Sequence, residues 1–389
     1  MRTILVAMAV LAVSACSSGT TTGGGGGGGS ATGGGSVTGG GGSATGGGAA
    51  TGGGAATGGG GSATGGGAAT GGGAATGGGG SATGGGSGGT LSDTYPGDVG
   101  IANDPAVIWT ENFEEADVAT FAGKYDQVQN QAGISLVADK PAKSSGAHSG
   151  QFTSDPNNNA TDFYKELSQG YDELYVRWYV KYDANVEWHH SGFWFGGYNP
   201  PESYPSPHAG EQPDGTDRFS LSIEPVGSGA NPQMDFYNYW HTMHSWQDMP
   251  MGSTAYYGNT LVHQQSFHVD DGQWMCLEVH LAIDPTPGTG TGATLGVYKN
   301  DALIQQFTDQ GALGYWIKDK FCPVGADGTE CTVYPPPSGT TMIPLDQTYR
   351  TVAAMKINYL WPQNYITTGS GSLWFDDMVV ATKRVGCLK

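Results

Sequence analysis

Positive charge is scarce in this sequence: 16 Lys and Arg stand against 35 Asp and Glu, for a formal net charge of −19. A generic nucleic-acid binder needs a basic surface to neutralise phosphates, so that class is excluded. Electrostatic adsorption to anionic membranes is disfavoured for the same reason. Zinc-type spacings such as Cys-x-x-Cys and His-Glu-x-x-His are missing, so no zinc motif is present. Residues 17–90 lack charged and aromatic side chains altogether, containing only Gly, Ala, Ser, Thr and one Val. Nothing there offsets chain entropy, so no fold is expected. The glycines do not form a nucleotide loop either, because no strand precedes them and no Lys follows. Treated as a Gly/Ser-type coil, about 74 residues reach roughly 45–50 Å r.m.s., which makes the segment a tether.

The start of the chain carries an address. Met1-Arg2-Thr3 is a short positive segment, and the apolar run Ile4 to Val13 is too short to span a bilayer. Together they read as a signal peptide over residues 1–16. Cys16, directly after Val13-Ser14-Ala15, resembles the lipidated cysteine of a bacterial lipobox. The resemblance implies an exported, lipid-anchored protein of the cell envelope, at the outer membrane or cell surface. The remaining 389 − 90 = 299 residues, 91–389, are expected to form one globular domain. All 10 Trp, 19 Tyr and 12 Phe fall within it, so it has the means to bury a large core. Its four cysteines form an even set in an exported context, which makes disulfides the default. Three pairings are possible. Cys322 and Cys331 flank a short Pro/Gly loop and favour a local bridge, leaving Cys276 to join Cys387.

From about residue 105 the apolar residues alternate. Leu174, Val176, Trp178 and Val180 share one face of a run whose other face holds Tyr175, Arg177, Tyr179 and Lys181. Arg218 to Glu224 repeats the pattern, with Arg218, Ser220, Ser222 and Glu224 on the polar side. Gln233 to Thr242 places Gln233, Asp235, Tyr237, Tyr239 and His241 opposite Met234, Phe236, Asn238 and Trp240. In Gln273 to Ile283, Glu278 and His280 oppose a fully apolar face. Asn300-Asp301 is a two-residue hairpin signal, and Val352 to Leu360 and Ser372 to Ala381 supply the last strands. Helix-length amphipathic stretches are scarce. The expectation is an all-β sandwich of two antiparallel sheets. Rings and charges on the polar faces point to a surface that binds something.

Several of these runs resemble known strands. Trp109-Thr110-Glu111-Asn112-Phe113-Glu114 looks like the opening strand of carbohydrate-active jelly rolls. Leu174 to Lys181 and Trp274 to His280 are similar to strands of bacterial polysaccharide-lyase-like proteins, and Leu373 to Val380 resembles their closing strand. The resemblance covers most of residues 105–385. It implies a concanavalin A-like jelly roll of the alginate- or glucuronan-lyase-like type that binds an extracellular polysaccharide. The Gln-x-His and Tyr-x-Lys-x-Gly-x-Tyr-x-Gln patterns of well-known alginate lyases are absent, as is the Glu-x-Asp-x-x-Glu of one hydrolase family. No catalytic residue is therefore carried over.

A lyase acting on a uronic acid removes the proton α to a carboxylate, so it needs donors on that carboxylate and a base and an acid nearby. One tyrosine can serve as both if neighbouring cations lower its pKa. The expected proton-transfer residue is Tyr239 or Tyr237, assisted by His241. Arg177, Lys181 and Asn358 are expected to hold the carboxylate, with Tyr179, Arg218, Glu224, His280 and Lys356 lining the same trough. Three readings stay open: β-elimination, a non-catalytic glycan-binding or adhesion module, and a glycoside hydrolase using carboxyls among Glu224, Asp235 and Glu278. His189-His190 would flank the groove. No cofactor is expected to be required. Glu111, Glu114, Asp376 and Asp377 are candidates for a structural calcium site, since oxygen ligands suit that ion. A monomer whose partner is a polysaccharide, with no nucleic acid, completes the expectation.

Overall fold

The computed structural model describes residues 89–204, 208–246 and 255–389. The signal peptide, Cys16 and nearly all of the 17–90 tether lie outside the described residues. Helix is confined to short pieces, including α1 (Leu91–Thr94), α2 (Val118–Ala122) and α3 (Thr329–Val333). The first strands are β1 (Val107–Glu111), β2 (Gln127–Gln129), β3 (Ile134–Val137), β4 (Ser149–Ser154) and β5 (Ala160–Tyr171). Then come β6 (Glu173–Tyr182), β7 (Gly192–Tyr198), β8 (Arg218–Val226), β9 (Gln233–Phe236) and β10 (Met275–Ala282). The chain closes with β11 (Thr294–Lys299), β12 (Ala302–Thr308), β13 (Gly314–Ile317), β14 (Lys320–Pro323), β15 (Ile357–Tyr365) and β16 (Gly371–Ala381).

All but β13 and β14, which pair as a separate two-stranded sheet, make a jelly-roll β-sandwich of two antiparallel sheets. One sheet runs β12-β11-β10-β6-β16-β4-β3, with β1 also paired to β16; the other runs β2-β5-β15-β7-β8-β9. Alternation decides what lies between them. Leu174, Val176, Trp178 and Val180 of β6 and Phe193, Phe195, Phe219, Leu221 and Ile223 of β7 and β8 are all essentially sealed from solvent. The rings of Trp178 and Phe193 meet across the gap at 5.1 Å. Burying such side chains contributes roughly 1.5–3 kcal/mol each, and this layer is what fixes the register of both sheets.

The Asn300-Asp301 hairpin joins β11 to β12 with φ of 52° and 69°, the doubly left-handed geometry such two-residue turns require. Both disulfides form as the spacing suggested, Cys322–Cys331 and Cys276–Cys387. Two strands differ from expectation. The Gln233–Thr242 run is a regular strand only to Phe236, continuing through single bridges at Asn238 and Tyr239. The last-but-one strand begins at Ile357 instead of Val352 and extends to Tyr365.

Candidate functional site

The outer face of the six-stranded sheet follows from its register. Asp162 of β5 pairs with Gln363 of β15, and Gln363 with Gly192 of β7. A Cβ on Gly192 would lie 3.2 Å from the Cβ of Glu224, which in turn pairs with Asp235. The next row outward-facing along the strands is Trp361, Trp194, Ser222 and Tyr237. The third is Glu166, Tyr359, Gly196, Ser220 and Tyr239. None of these residues is Lys or Arg. Glycines at 192 and 196 flank Trp194 on β7, so the middle of the face has no side chains above its backbone at those points.

Rings fill much of the remainder. Trp361 and Trp194 lie 6.0 Å apart, and both are buried beneath a second layer. In that layer Tyr204 meets Trp361 at 5.4 Å, while Tyr237 and His190 meet Trp194 at 5.8 and 5.9 Å. His190 and Tyr237 touch at 4.7 Å, and Tyr237 meets Tyr239 at 5.7 Å. Tyr204, Tyr237, His190 and Tyr365 are half-buried and form a partly exposed upper layer over a sealed floor.

Two carboxyls sit in it. Glu224 places Oε1 3.0 Å from Nδ1 of His190, and its Oε2 has no partner. Burial raises its pKa, an effect only partly opposed by His190. Asp162 accepts from the Tyr204 hydroxyl at 3.3 Å, and Trp361 Nε1 is aimed at the same carboxyl without closing a full hydrogen bond. Burial pushes Asp162 up to about 7. The tyrosines were expected to be acidified by cations. Instead burial holds Tyr237 well above its ordinary value and takes Tyr239 to about 12, because no cation shares their row. Both are neutral phenols at pH 7.

The other sequence-predicted residues scatter, and the expected convergence of the β6 and β9 faces is corrected. β6 belongs to the opposite sheet, so its polar face looks out on the far side of the sandwich. Arg177 is sealed against the Asp98 carboxylate and the Asp377 carbonyl. The Tyr179 hydroxyl accepts from the Leu388 amide at 2.9 Å. Lys181 pairs with Asp139 and lies over the Trp374 ring at 4.0 Å. His280 stacks on Tyr175 at 4.1 Å and meets Glu173 at 2.8 Å.

Four more lie at the end of the correct sheet or in the loops beside it. Arg218 pairs with Asp217, and Lys356 reaches both oxygens of Asp172 at 2.7 and 2.6 Å. Asn358 bridges the Tyr198 amide and carbonyl where the ladder is irregular. His241 rests on the loop at Pro213, 3.4 Å from its carbonyl, and beside Gly215. Only Tyr237, Tyr239 and Glu224 of the expected set meet, joined by the flanking His190.

Of the hydrolase carboxyls, Glu224 and Asp235 are register partners on one face and Glu278 is apart from them. Asp235 is taken up by the amides of Leu261, Val262 and His263, and Glu278 on the opposite sheet by those of Val385 and Gly386. Of the four expected calcium ligands two are engaged within the chain, while Asp376 and Asp377 each keep a buried Oδ2 with no partner. Glu111 accepts from Phe113 N and Lys124, and Glu114 from the amides of Ala147 and His148. Among the described residues, the one trio of His, Cys, Asp or Glu with ligand atoms within 4.8 Å of one another is His263, Cys322 and Cys331, and its sulfurs form a disulfide.

Sequence reasoning missed Asp162, Trp194, Trp361 and Tyr204. The alternation in Phe193-Trp194-Phe195, with phenylalanines inward and the tryptophan outward, was the signal available for β7.

No protein family and no curated protein matches the sequence. Solved structures of similar course include an alginate lyase from Aplysia kurodai, with 14% identity over 71% of this chain and 99% of that one, TM-score 0.45. An endo-β-1,4-glucuronan lyase from the fungus Trichoderma reesei has 10% identity over 71% and 95%, TM-score 0.41. An alginate lyase from Chlorella virus has 12% identity over 71% and 99%, TM-score 0.40. No residue role in this chain rests on these likenesses.

Proposed function

We propose that the protein binds a polysaccharide along the outer face of the six-stranded sheet. The observation that carries this reading is the two-layered ring array, with Tyr204, Tyr237 and His190 half-open above buried Trp361 and Trp194. Sugars offer apolar C–H faces to rings and hydroxyls to carboxyls, and the trough supplies both. Retention in gels containing dissolved polysaccharide tests it. Tyr204→Ala and Tyr237→Ala should each weaken retention roughly tenfold, equivalent to about 1.4 kcal/mol, while the melting temperature confirms that both variants fold. Unchanged retention in both would remove the trough from the proposal. An address belongs to the same reading: export, lipidation at Cys16 and a glycine tether holding the sandwich off the envelope. Cys16→Ser should then release the protein from the membrane fraction.

A second reading, cleavage by β-elimination, is favoured by one contact, the placing of His190 between Glu224 and the Tyr237–Tyr239 pair. With both phenols neutral, proton abstraction falls to His190, and a tyrosine hydroxyl protonates the leaving oxygen. The ultraviolet absorbance of the unsaturated product reports it directly. Release of reducing ends without that absorbance points to hydrolysis, and neither signal leaves binding alone.

A further inference from the structure

The charge on the trough narrows what it can hold. Its three rows contain Asp162, Glu224, Asp235 and Glu166 and no Lys or Arg. The cations nearest in the fold are already matched: Lys165 of β5 to Asp126, and Arg218 to Asp217 and Lys356 to Asp172 at the end of the sheet. Arg177 and Lys181 lie on the other side of the sandwich, paired with Asp98 and Asp139. A polymer with a carboxylate on each sugar would bring a like charge beside Glu224 and Asp162 with no counter-charge to meet it, in a chain whose net charge is −19. Sugar hydroxyls make the opposite demand. Glu224 Oε2, beside Ser222, and Asp162 Oδ1, beside Trp361 Nε1, are buried acceptors without a full hydrogen bond, and a hydroxylated, uncharged ring adds donors above them without adding charge.

We infer that the trough takes an uncharged glycan and excludes polyuronates. This deepens the polysaccharide reading and rests on it; it also stands against the elimination reading, which requires a uronate.

The test is affinity electrophoresis of the full chain against β-glucan, xylan and galactomannan on one side and alginate, polygalacturonate and glucuronan on the other. It is run at about pH 8, above the raised value of about 7 at Asp162, so that this carboxyl is charged. At least one neutral polymer should retard the protein at a tenfold lower concentration than any polyuronate, with little change as salt rises. A polyuronate retained as well as or better than every neutral polymer overturns the inference while leaving the groove standing. Retention by no polymer at all removes the groove and the inference together. Glu224→Gln and Asp162→Asn supply the second readout: each should strengthen the weak polyuronate retention at least threefold at low salt, with the melting temperature confirming the fold. Polyuronate retention unchanged in both variants shows that these carboxyls are not what excludes the acid polymers, and the inference fails.

Discussion

On β6 and β10 the outward residues are Tyr175, Arg177, Tyr179, Lys181, Glu278 and His280; on the other sheet they include Asp162, Trp361, Trp194, Glu224 and Tyr237. Both sets mix rings with charges, yet the two faces meet different ends. The first is covered by the chain's own segments. Leu91 and Ile101 pack with Val379, Ala381 and Val385, the Leu91 amide donates to the Arg384 carbonyl, and the Cys276–Cys387 bridge pins the C-terminus over Tyr179. Under that cover several charges pair, Arg177 with Asp98, Lys181 with Asp139 and Arg384 with Glu278, while Asp376 and Asp377 beside Arg177 each keep a buried oxygen with no partner. The second face is roofed by the half-exposed rings of Tyr204, Tyr237 and His190, and its charged residues are acids. The segments that close the first face supply partners for its cations and none for the second oxygens of Asp376 and Asp377; the second face has acids and no Lys or Arg in its three rows.

The closed face should break most severely at Arg177. Its guanidinium is fully buried against Asp98, and burial is the largest influence on it, opposed and outweighed by that carboxylate. Arg177→Met leaves Asp98 buried without its partner, which costs about 3–5 kcal/mol. Adding Asp98→Asn should recover much of the loss, since it removes the stranded charge and Asn tolerates the left-handed φ of 60° at this position. Urea denaturation of the three proteins measures both steps. Equal stability of the single and double variants would sever the link between cover and charge matching. Glycan retention by the folded variants should match the parent, because the trough lies on the other side.

That contrast also explains what was legible in the sequence. Period-two alternation placed Leu174 to Val180 and Phe219 to Ile223 in the core, because a one-residue slip would expose them. The same alternation put Arg177 and Tyr237 on polar faces but is silent on which sheet each strand joins. β6 and β9 both read as half-polar, and only long-range pairing sends them to opposite sides of the sandwich. Cover was equally hidden, since residues 91–101 and 384–388 carry no pattern that names their docking face. Asp162 escaped notice because its weight comes from burial under Tyr204 beside Trp361, contacts between residues distant in sequence.

The open face should show its acids through pH. Asp162 has its pKa raised by burial from 3.8 to about 7, so the folded chain keeps a proton that the unfolded chain releases near pH 4. That contribution to stability is complete below about pH 4, declines between about 4 and 7, and is absent above. Three pKa units set a ceiling of ~4 kcal/mol, and relaxation of the site brings the expected effect nearer ~2 kcal/mol. Asp162→Asn mimics the protonated form at every pH. Its urea midpoint should match the parent at pH 4 and exceed it at pH 8. Parallel curves across that range would mean that solvent reaches the carboxyl, and the trough would be wetter than its rings suggest.

The smallest effect is expected at Lys181, and it sharpens the contrast from the closed side. Its ammonium pairs with Asp139 and sits 4.0 Å from the Trp374 ring centroid, and its side chain is 10% exposed. A cation over an aromatic ring at such a site contributes about 0.5–1 kcal/mol. Lys181→Met keeps the stem against both Trp374 and Trp274 and removes only the charge, so the loss in stability should stay within ~1 kcal/mol. Asp139 does not become a buried orphan, because it is half exposed and still accepts from Trp274 Nε1 at 3.1 Å. Retention on polysaccharide should be indistinguishable from the parent at every salt concentration. A measurable drop would bring this lysine into contact with ligand and reopen the outer face of β6 as a binding surface, contrary to its cover by residues 91–101 and 384–388.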